Sequence, residues 1–203
     1  KEGYAMHMPS PNTVAPAQGL YQPDEFKDNC GFGLIAHMQG DASHDLVKTA
    51  MHSLSCMTHR GGIAADGKTG DGCGLLLAMP KQFFREEAKK LSDITLSEVF
   101  AVGTVFLSLD PAIAAHAKQI LTKEIESEGC RVLAWRVVPT NNDALGSIAM
   151  QSLPAFEQII VNCPMGVSEV EFNRKLFLAR RRAEQQLSND SSFYVTTLCS
   201  TVI

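Results

Sequence analysis

The sequence lacks any run of about 18 apolar residues, the length that a helix needs to cross a bilayer. It has no stripe of lysine and arginine interleaved with aromatic residues, a pattern typical of nucleic-acid-binding surfaces. Residues 1–20 lack both a basic start and an apolar core segment, so we expect no secretory signal there. These absences argue against a membrane-spanning, a nucleic-acid-binding or a secreted protein.

Cysteine pairs with the spacing of metal or redox sites are also absent. None of the six cysteines forms a Cys-x-x-Cys pair, and none groups with a histidine at zinc-ligand spacing, so we predict no metal site. The cysteines are scattered along the chain: Cys30, Cys56, Cys73, Cys130, Cys163 and Cys199. This scattering favours reduced thiols in a cytoplasmic protein over a disulfide framework.

The composition is that of an ordinary globular domain: 203 residues, 45% hydrophobic and 20% charged, with a formal net charge of −4. Residues 1–29 differ from the rest, because they hold four of the nine prolines and show neither helical nor strand periodicity. We therefore predict a poorly ordered arm over residues 1–29 and one folded domain over residues 30–203.

Hydrophobic periodicity and capping residues divide the folded domain into strands and helices. Apolar runs predict strands near residues 33–38, 75–79, 100–107, 130–138, 157–161 and 193–203, the first of them buried. Helices are predicted from Ser43 to Gly61 and Gly62, over residues 82–91, from Asp110-Pro111 to Gly129, and after the capping box of Ser168 and Glu171. This mixture, without strict strand–helix–strand alternation, predicts an α+β or layered α/β fold.

Two of the predicted helices have clear apolar faces. The faces consist of Ile113, Ala117, Ile120 and Leu121 in the helix after Asp110, and of Phe172, Leu176, Ala179, Ala183 and Leu187 in the helix after Ser168. The last predicted strand runs to Ile203 with no loop or cap after it. Because an uncovered apolar strand promotes aggregation, we expect the domain to be truncated at this end.

Cys30 stands at the start of the first apolar run, directly after Asn29. A free cysteine in such a position is most often a small buried hydrophobic residue. The alternative is a nucleophile at a processed N-terminus, since cleavage after Asn29 places an α-amine of pKa about 8 beside a thiol of pKa about 8.5. One residue then supplies both nucleophile and base, and Gly31 leaves room for a substrate beside the backbone.

The glycine-rich stretch over residues 58–74 contains the string Gly-x-x-x-x-Gly-Lys-Thr at residues 62–69, the pattern of a phosphate-binding loop. Such a loop needs a strand before it and a helix after it. Here a helix is predicted before the string, and three further glycines oppose a helix after it. Asp66 also repels phosphate, so nucleotide binding through Lys68 and Thr69 is the weaker interpretation.

His59 and Arg60 lie between the predicted helix and Gly61. Either they interact with the last carbonyl groups and the dipole of that helix, or they form the wall of a site. A dyad of Cys30 and His59 is a further option, but the sequence alone does not place the two side chains within hydrogen-bond distance.

Several stretches resemble one known family. Residues 28–85, DNCGFGLIAHMQGDASHDLVKTAMHSLSCMTHRGGIAADGKTGDGCGLLLAMPKQFFR, are similar to the start of the large subunit of bacterial glutamate synthases, which are glutamine amidotransferases of class II. The stretches WRVVPTNNDALGSIAMQSLPAFEQIIVN and KLFLARRRAEQQL resemble the same family. The resemblance extends from about Tyr21 to Ile203.

The resemblance implies the fold of the N-terminal nucleophile hydrolases, a four-layer αββα sandwich of two antiparallel sheets between helices, here incomplete at the C-terminus. It also implies that residues 1–29 are a propeptide cleaved between Asn29 and Cys30. Cys30 aligns with the catalytic cysteine, whose thiolate attacks the side-chain amide of L-glutamine. Gly31, His59, Arg60 and Gly61 are then candidates for the wall of the substrate site.

In the complete enzymes of this family, ammonia passes to further synthase domains, where 2-oxoglutarate is aminated and reduced. The resemblance therefore implies FMN, an iron–sulfur cluster and NADPH or ferredoxin in a complete enzyme, together with a small NADPH-oxidising subunit as a partner. It implies no cofactor for residues 1–203 themselves.

The resemblance also implies that the motifs for the glutamine carboxylate, the oxyanion hole and the substrate amine lie beyond Ile203. Each missing oxyanion donor lowers turnover by roughly 10²- to 10³-fold, so we expect residues 1–203 alone to be inactive. A non-catalytic regulatory or interaction module with the same fold is the alternative from another class of function.

Overall fold

The computed structural model describes residues 31–57, 63–70, 72–92 and 94–203 of the chain. The chain divides into two compact units, Lys1–Gly61 and Gly62–Ile203. In the described parts of both units, no helix is long and apolar enough to cross a membrane.

The first unit contains one helix, α1 (His44–Cys56), among its described residues. Ser43 caps this helix, because its hydroxyl accepts a hydrogen bond from the Leu46 amide at 3.2 Å, and Asp45 lies in the first turn. The predicted start is therefore confirmed. The helix ends at Cys56, earlier than the predicted end at Gly61, which lies outside the described residues.

The prediction of a buried strand over residues 33–38 is wrong. This segment has no regular secondary structure. Within it, Leu34 and Met38 are 88% and 91% exposed, and Phe32, just before it, is 90% exposed. A strand requires a neighbour to pair its backbone amides and carbonyls. The apolar run indicates a tendency to be buried, but it does not indicate which strand would pair with it. No strand among the described residues pairs with this segment.

The second unit is built on four antiparallel strands, β1 (Phe100–Leu107), β2 (Arg131–Val137), β3 (Ala155–Asn162) and β4 (Tyr194–Cys199). Their order in the sheet is β2-β3-β1-β4. Four of the predicted strands therefore exist, and their antiparallel pairing selects an α+β fold over a layered α/β fold.

Two long helices of the second unit begin at the predicted caps. Helix α3 (Pro111–Ser127) is capped by Asp110, whose carboxylate accepts from the Ala112 amide at 2.8 Å. Helix α4 (Glu169–Gln186) is capped by Ser168, whose hydroxyl accepts from the Glu171 amide at 3.3 Å. In a capping box, the Glu171 side chain would also bond back to the Ser168 amide. Here the Glu171 carboxylate instead forms an ion pair with Arg174 at 2.9 Å.

Helices α3 and α4 cover one face of the sheet and form the main core with it. Every residue of the predicted apolar face after Ser168 is buried. The predicted face of α3 is only partly right, since Ala117 and Leu121 are buried with Ile125, whereas Ile113 is 46% exposed. Ile113 lies in the first turn of α3, so the helix packs on the sheet through its later turns.

The opposite face of the sheet contacts helix α2 (Lys81–Ser92), which confirms the helix predicted over residues 82–91. Phe84 and Ala88 pack there against Phe100, Val102 and Ile160. This second core is smaller than the first.

The predicted strand over residues 75–79 is an extended segment that pairs with the last residues of the chain. The Leu77 amide donates to the Ile203 carbonyl at 2.8 Å, and the Ile203 amide donates back at 2.9 Å. The predicted strand over residues 193–203 is thus divided into β4 and this short pairing. The division lies at Ser200, which is buried and bonded to Asn173 and Glu169 of α4.

Truncation of Leu176 to Ala is expected to lower the free energy of unfolding by about 2–5 kcal/mol, because it leaves a cavity between α4 and the sheet. Leu178→Ala is the matched control, since Leu178 lies two residues away on the same helix and is 39% exposed. Its cost should be below about 1 kcal/mol. Urea denaturation measures both values, and equal losses would contradict the buried face assigned to α4.

Candidate active site

Gly31 is the one predicted site residue that falls within the described part of the chain, where it is exposed and lies in an irregular segment. Asn29, Cys30, His59, Arg60 and Gly61 lie outside the described residues. Of the predicted site, the structure therefore describes Gly31 and the segment that follows it.

The segment that follows Gly31 reaches α1 through a turn at His37. The Gly40 amide donates to the His37 carbonyl at 3.0 Å, and the Asp41 amide donates to Nδ1 of His37 at 3.2 Å. Ser43 then caps α1. The candidate nucleophile position is thus connected to a capped helix by about a dozen residues that are mostly exposed.

Within the glycine-rich stretch, residues 63–70 form a short hairpin closed by an isolated bridge between Ile63 and Gly70. The Ala64 amide donates to the Thr69 carbonyl at 2.7 Å, and the Gly67 amide donates to the Ala64 carbonyl at 2.9 Å. Gly67 has a φ of +69°, a left-handed conformation that glycine adopts without strain. An Asp-Gly pair at this point is typical of a tight hairpin turn.

The carboxylate of Asp66 joins this hairpin to a second loop of the same unit, residues 146–149. It accepts hydrogen bonds from the Thr69 hydroxyl at 2.6 Å, the Thr69 amide at 2.8 Å and the Lys68 amide at 3.1 Å. It also accepts from the amide of Ile148, 82 residues away, at 3.0 Å. Hydrogen bonds from the Thr69 hydroxyl and the Ile148 amide hold the pKa of Asp66 far below its ordinary value.

The hydroxyl of Thr69 completes this contact. It donates to Asp66 and accepts a hydrogen bond from the Ala149 amide at 3.1 Å. Gly146 lies directly against both side chains, because a Cβ atom built there overlaps with the Asp66 carboxylate and the Thr69 hydroxyl. We call these three residues, Asp66, Thr69 and Gly146, the Asp66 clamp.

The Asp66 clamp removes the basis of the nucleotide interpretation. In a phosphate-binding loop, backbone amides point at the phosphate, and the Thr hydroxyl binds Mg²⁺. Here the Lys68 and Thr69 amides point at the carboxylate of Asp66, and the Thr69 hydroxyl is occupied on both sides. Residues 62–69 match the motif of a phosphate-binding loop, but the anion that their amides bind is the Asp66 carboxylate of the same chain.

The sequence predicts for Asp66 only that it repels phosphate, and the contact of Asp66 with the second loop was not predicted. The Asp-Gly pair was a usable local signal for the hairpin. No local signal pointed to Ile148 or Gly146, because a bond across 82 residues depends on the tertiary fold.

The five cysteines in the described residues are free thiols, and Cys199 is half-buried. Burial raises the pKa of Cys130 to about 11 and also raises the pKa of Cys163, so both are poor nucleophiles at neutral pH. Cys56 and Cys73 are exposed. Within residues 31–57, 63–70, 72–92 and 94–203, no group of three or more His, Cys, Asp or Glu side chains is placed to hold a metal ion.

Residues 30–203 match the family of class II glutamine amidotransferases, and the chain belongs to this family. Members have the fold of the N-terminal nucleophile hydrolases, which confirms the predicted fold class. The four-stranded antiparallel sheet and its helices are the part of that fold seen in the described residues.

The chain is similar to glutamate synthases from several organisms. It is 37% identical to the large chain of the NADPH glutamate synthase of Bacillus subtilis over 194 residues, which are 95% of this chain and 13% of that protein. It is 38% identical to the ferredoxin-dependent glutamate synthase 2 of Synechocystis over 184 residues, 88% of this chain and 12% of that protein. The chain thus spans about one eighth of the length of these relatives.

The carboxyl group of Asp66 is expected to remain ionised at about pH 3, below its ordinary pKa of 3.8. Because its pKa is lower in the folded than in the unfolded chain, its contacts stabilise the clamp above pH 3.8 and weaken only as the pH falls toward the folded-state pKa. Carbon-13 NMR titration, with Asp66→Asn to assign the signal, measures this directly. A midpoint at or above 3.8 would contradict the described hydrogen bonds.

Proposed function

We propose that this chain is the N-terminal part of the glutamine-hydrolysing domain of a glutamate synthase. The observation that carries the proposal is that the family match begins at residue 30, the position of Cys30. The similarity to glutamate synthases of both the NADPH and the ferredoxin-dependent kind supports it. Either nicotinamide or ferredoxin is therefore consistent as the source of electrons for the complete enzyme.

Cys30 is proposed as the nucleophile, released when the chain is cleaved after Asn29 and residues 1–29 are removed as a propeptide. The new α-amine takes the proton of the thiol, and the thiolate attacks the side-chain amide carbon of L-glutamine. The carbon–nitrogen bond breaks, and the nitrogen leaves as ammonia after receiving the proton. Water then hydrolyses the thioester, which gives glutamate and restores the thiol.

Gly31, His59, Arg60 and Gly61 are proposed as the wall of the glutamine site. Glycine at position 31 permits close approach of the substrate to the backbone next to the nucleophile. His59 and Arg60 carry the cationic or hydrogen-bonding groups that a zwitterionic substrate requires.

In the complete enzyme, the ammonia would be used by the remaining synthase domains for the reductive amination of 2-oxoglutarate in the cytoplasm. That reaction needs FMN and an iron–sulfur cluster, with electrons from NADPH, through a small NADPH-oxidising subunit, or from ferredoxin. We assign none of these groups to residues of this chain.

Processing after Asn29 is the first test. The mature parent protein is expected to begin with Cys30, as shown by intact mass and N-terminal sequencing. Cys30→Ala should retain residues 1–29 if the thiol takes part in its own release. A mature, functional protein that keeps residues 1–29 would favour the non-catalytic module over the enzyme.

Replacement of the nucleophile is the second test. In the full-length parent, Cys30→Ala is expected to lower glutamine-dependent glutamate formation by at least about 10⁴-fold, because no other group replaces the thiolate. Added ammonia should bypass the defect. Cys56→Ala is the matched control, since Cys56 is an exposed free thiol on α1. Normal glutamine-dependent turnover in Cys30→Ala would refute the proposed function.

A further inference from the structure

Two of the free thiols, Cys130 and Cys163, lie opposite each other at one end of the sheet. The ladder between β2 and β3 ends with Arg131 opposite Asn162, so the next pair outward is Cys130 opposite Cys163. Residues directly opposite in an antiparallel ladder have side chains on the same face. Both cysteines accordingly pack in the main core between the sheet and helices α3 and α4, where Cys130 is 4% exposed and Cys163 is half-buried.

The backbone around this pair continues the ladder. The Cys163 amide donates to the Val99 carbonyl at 3.2 Å, which keeps Cys163 in line with β3 beside the extension of β1. On the other side, Gly129 has a φ of +78° and turns the chain from the end of α3 into Cys130. The two cysteines thus stand at the end of the ladder, where a small shift of either residue leaves the strand interiors in place.

The spacing of such a pair suits a disulfide. Opposite residues of an antiparallel ladder have Cα atoms about 4.5–5.5 Å apart, and disulfides form over Cα separations of about 4.4–6.8 Å. Their Cβ atoms lie about 4.5–5.5 Å apart and have to approach by about 1 Å. The register therefore brings two thiols to a separation that a disulfide can close with little movement.

The charged groups around the pair keep both thiols protonated at neutral pH. Burial raises the pKa of Cys130; Lys175 of α4 opposes this effect, and Cys163 and Glu128 add to it. Burial and then Glu169 raise the pKa of Cys163. Because the thiolate is the reactive form, oxidation of this pair is slow at neutral pH and becomes faster as the pH rises.

We propose that Cys130 and Cys163 are an oxidation site: a small two-electron oxidant of the peroxide class converts the two thiols into a disulfide that joins the start of β2 to the end of β3. Cys163 is the point of entry, since it is the less buried of the two. The proposal is independent of the proposed function, because neither residue belongs to the proposed glutamine site.

The reaction has two steps. The thiolate of Cys163 attacks one oxygen of the peroxide, the oxygen–oxygen bond breaks, and Cys163 becomes a sulfenic acid while the other oxygen leaves as water. The thiolate of Cys130 then attacks the sulfenic sulfur, the sulfur–sulfur bond forms, the sulfur–oxygen bond breaks, and a second water leaves. In total, the two thiols lose two electrons and two protons, and the peroxide is reduced to water.

The disulfide closes a loop over residues 131–162, which contains β2, β3 and the second loop of the Asp66 clamp. A cross-link of this kind restricts the unfolded chain and so opposes opening of the strands that it joins. Amide hydrogen exchange at Val132 and Val161, which pair next to the cross-link, is therefore expected to slow by at least about 10-fold on oxidation.

The experiment treats the full-length parent protein with hydrogen peroxide, alkylates the remaining thiols and maps the peptides under non-reducing conditions. We expect a peptide pair linked through Cys130 and Cys163 that is lost on reduction with dithiothreitol, in a protein that keeps its single-chain mass on a denaturing gel. The rate of linkage should rise roughly ten-fold per pH unit between about pH 7 and pH 9, because the thiolate fraction rises by this factor below the pKa.

Matched controls come from the other cysteines. Cys130→Ala and Cys163→Ala should each remove the linked peptide. Cys199→Ala should retain it, since Cys199 is a half-buried thiol on β4, at the other edge of the sheet from β2. Oxidation of the exposed Cys56 in the same sample shows that the peroxide has acted.

Three results would overturn the proposal, and all of them are read in the protein without substitutions. The first is the absence of the linked peptide at the higher pH in a sample in which Cys56 is oxidised. The second is a disulfide between Cys130 and any cysteine other than Cys163. The third is conversion of Cys163 to a sulfinic acid while Cys130 stays a free thiol.

Discussion

The structure depends on the burial of β1 on both faces of the sheet. All residues of this strand except Phe106 are buried, and its neighbour β3 is buried over residues 159–161. A strand of this kind is stable only between two layers. Helices α3 and α4 provide one layer, and α2 provides part of the other. The loops that form the Asp66 clamp extend from this framework, which explains why they need polar contacts of their own.

A polar row crosses the second face of the sheet and limits how far α2 covers it. In the register of the sheet, Gln158 of β3 lies opposite Thr104 of β1 on one side and Arg136 of β2 on the other. The Arg136 guanidinium donates a hydrogen bond to the Gln158 side chain at 3.1 Å. Arg136 also forms an ion pair with Glu87 of α2 at 2.8 Å. Hydrogen bonds from Lys90 and then Arg136 lower the pKa of Glu87, so this pair stays charged at neutral pH and fixes α2 on the apolar side of the row.

The features that were predictable from the sequence are those with a local cause. Asp110 and Ser168 cap helices through atoms two or three residues away, and both helix starts were placed correctly. The buried face of α4 followed from its periodicity. The run over residues 33–38 and the exposed Ile113 were misjudged, because hydrophobicity indicates that a residue favours burial but not which surface covers it. Cys30 was singled out by its chemistry and by the family resemblance, and its position lies outside the described residues.

The hairpin over residues 63–70 shows how a motif depends on the groups that its amides face. Its sequence matches a phosphate-binding loop, yet the Lys68 and Thr69 amides donate to the carboxylate of Asp66. Asp66 lies two residues before Lys68 and three before Thr69. That carboxylate satisfies the amides without a ligand, and it has capacity left for the Ile148 amide. A loop that binds an external anion is ordered by the arrival of the anion. A loop with an internal anion is ordered in advance, and the four hydrogen bonds to Asp66 give the hairpin this property.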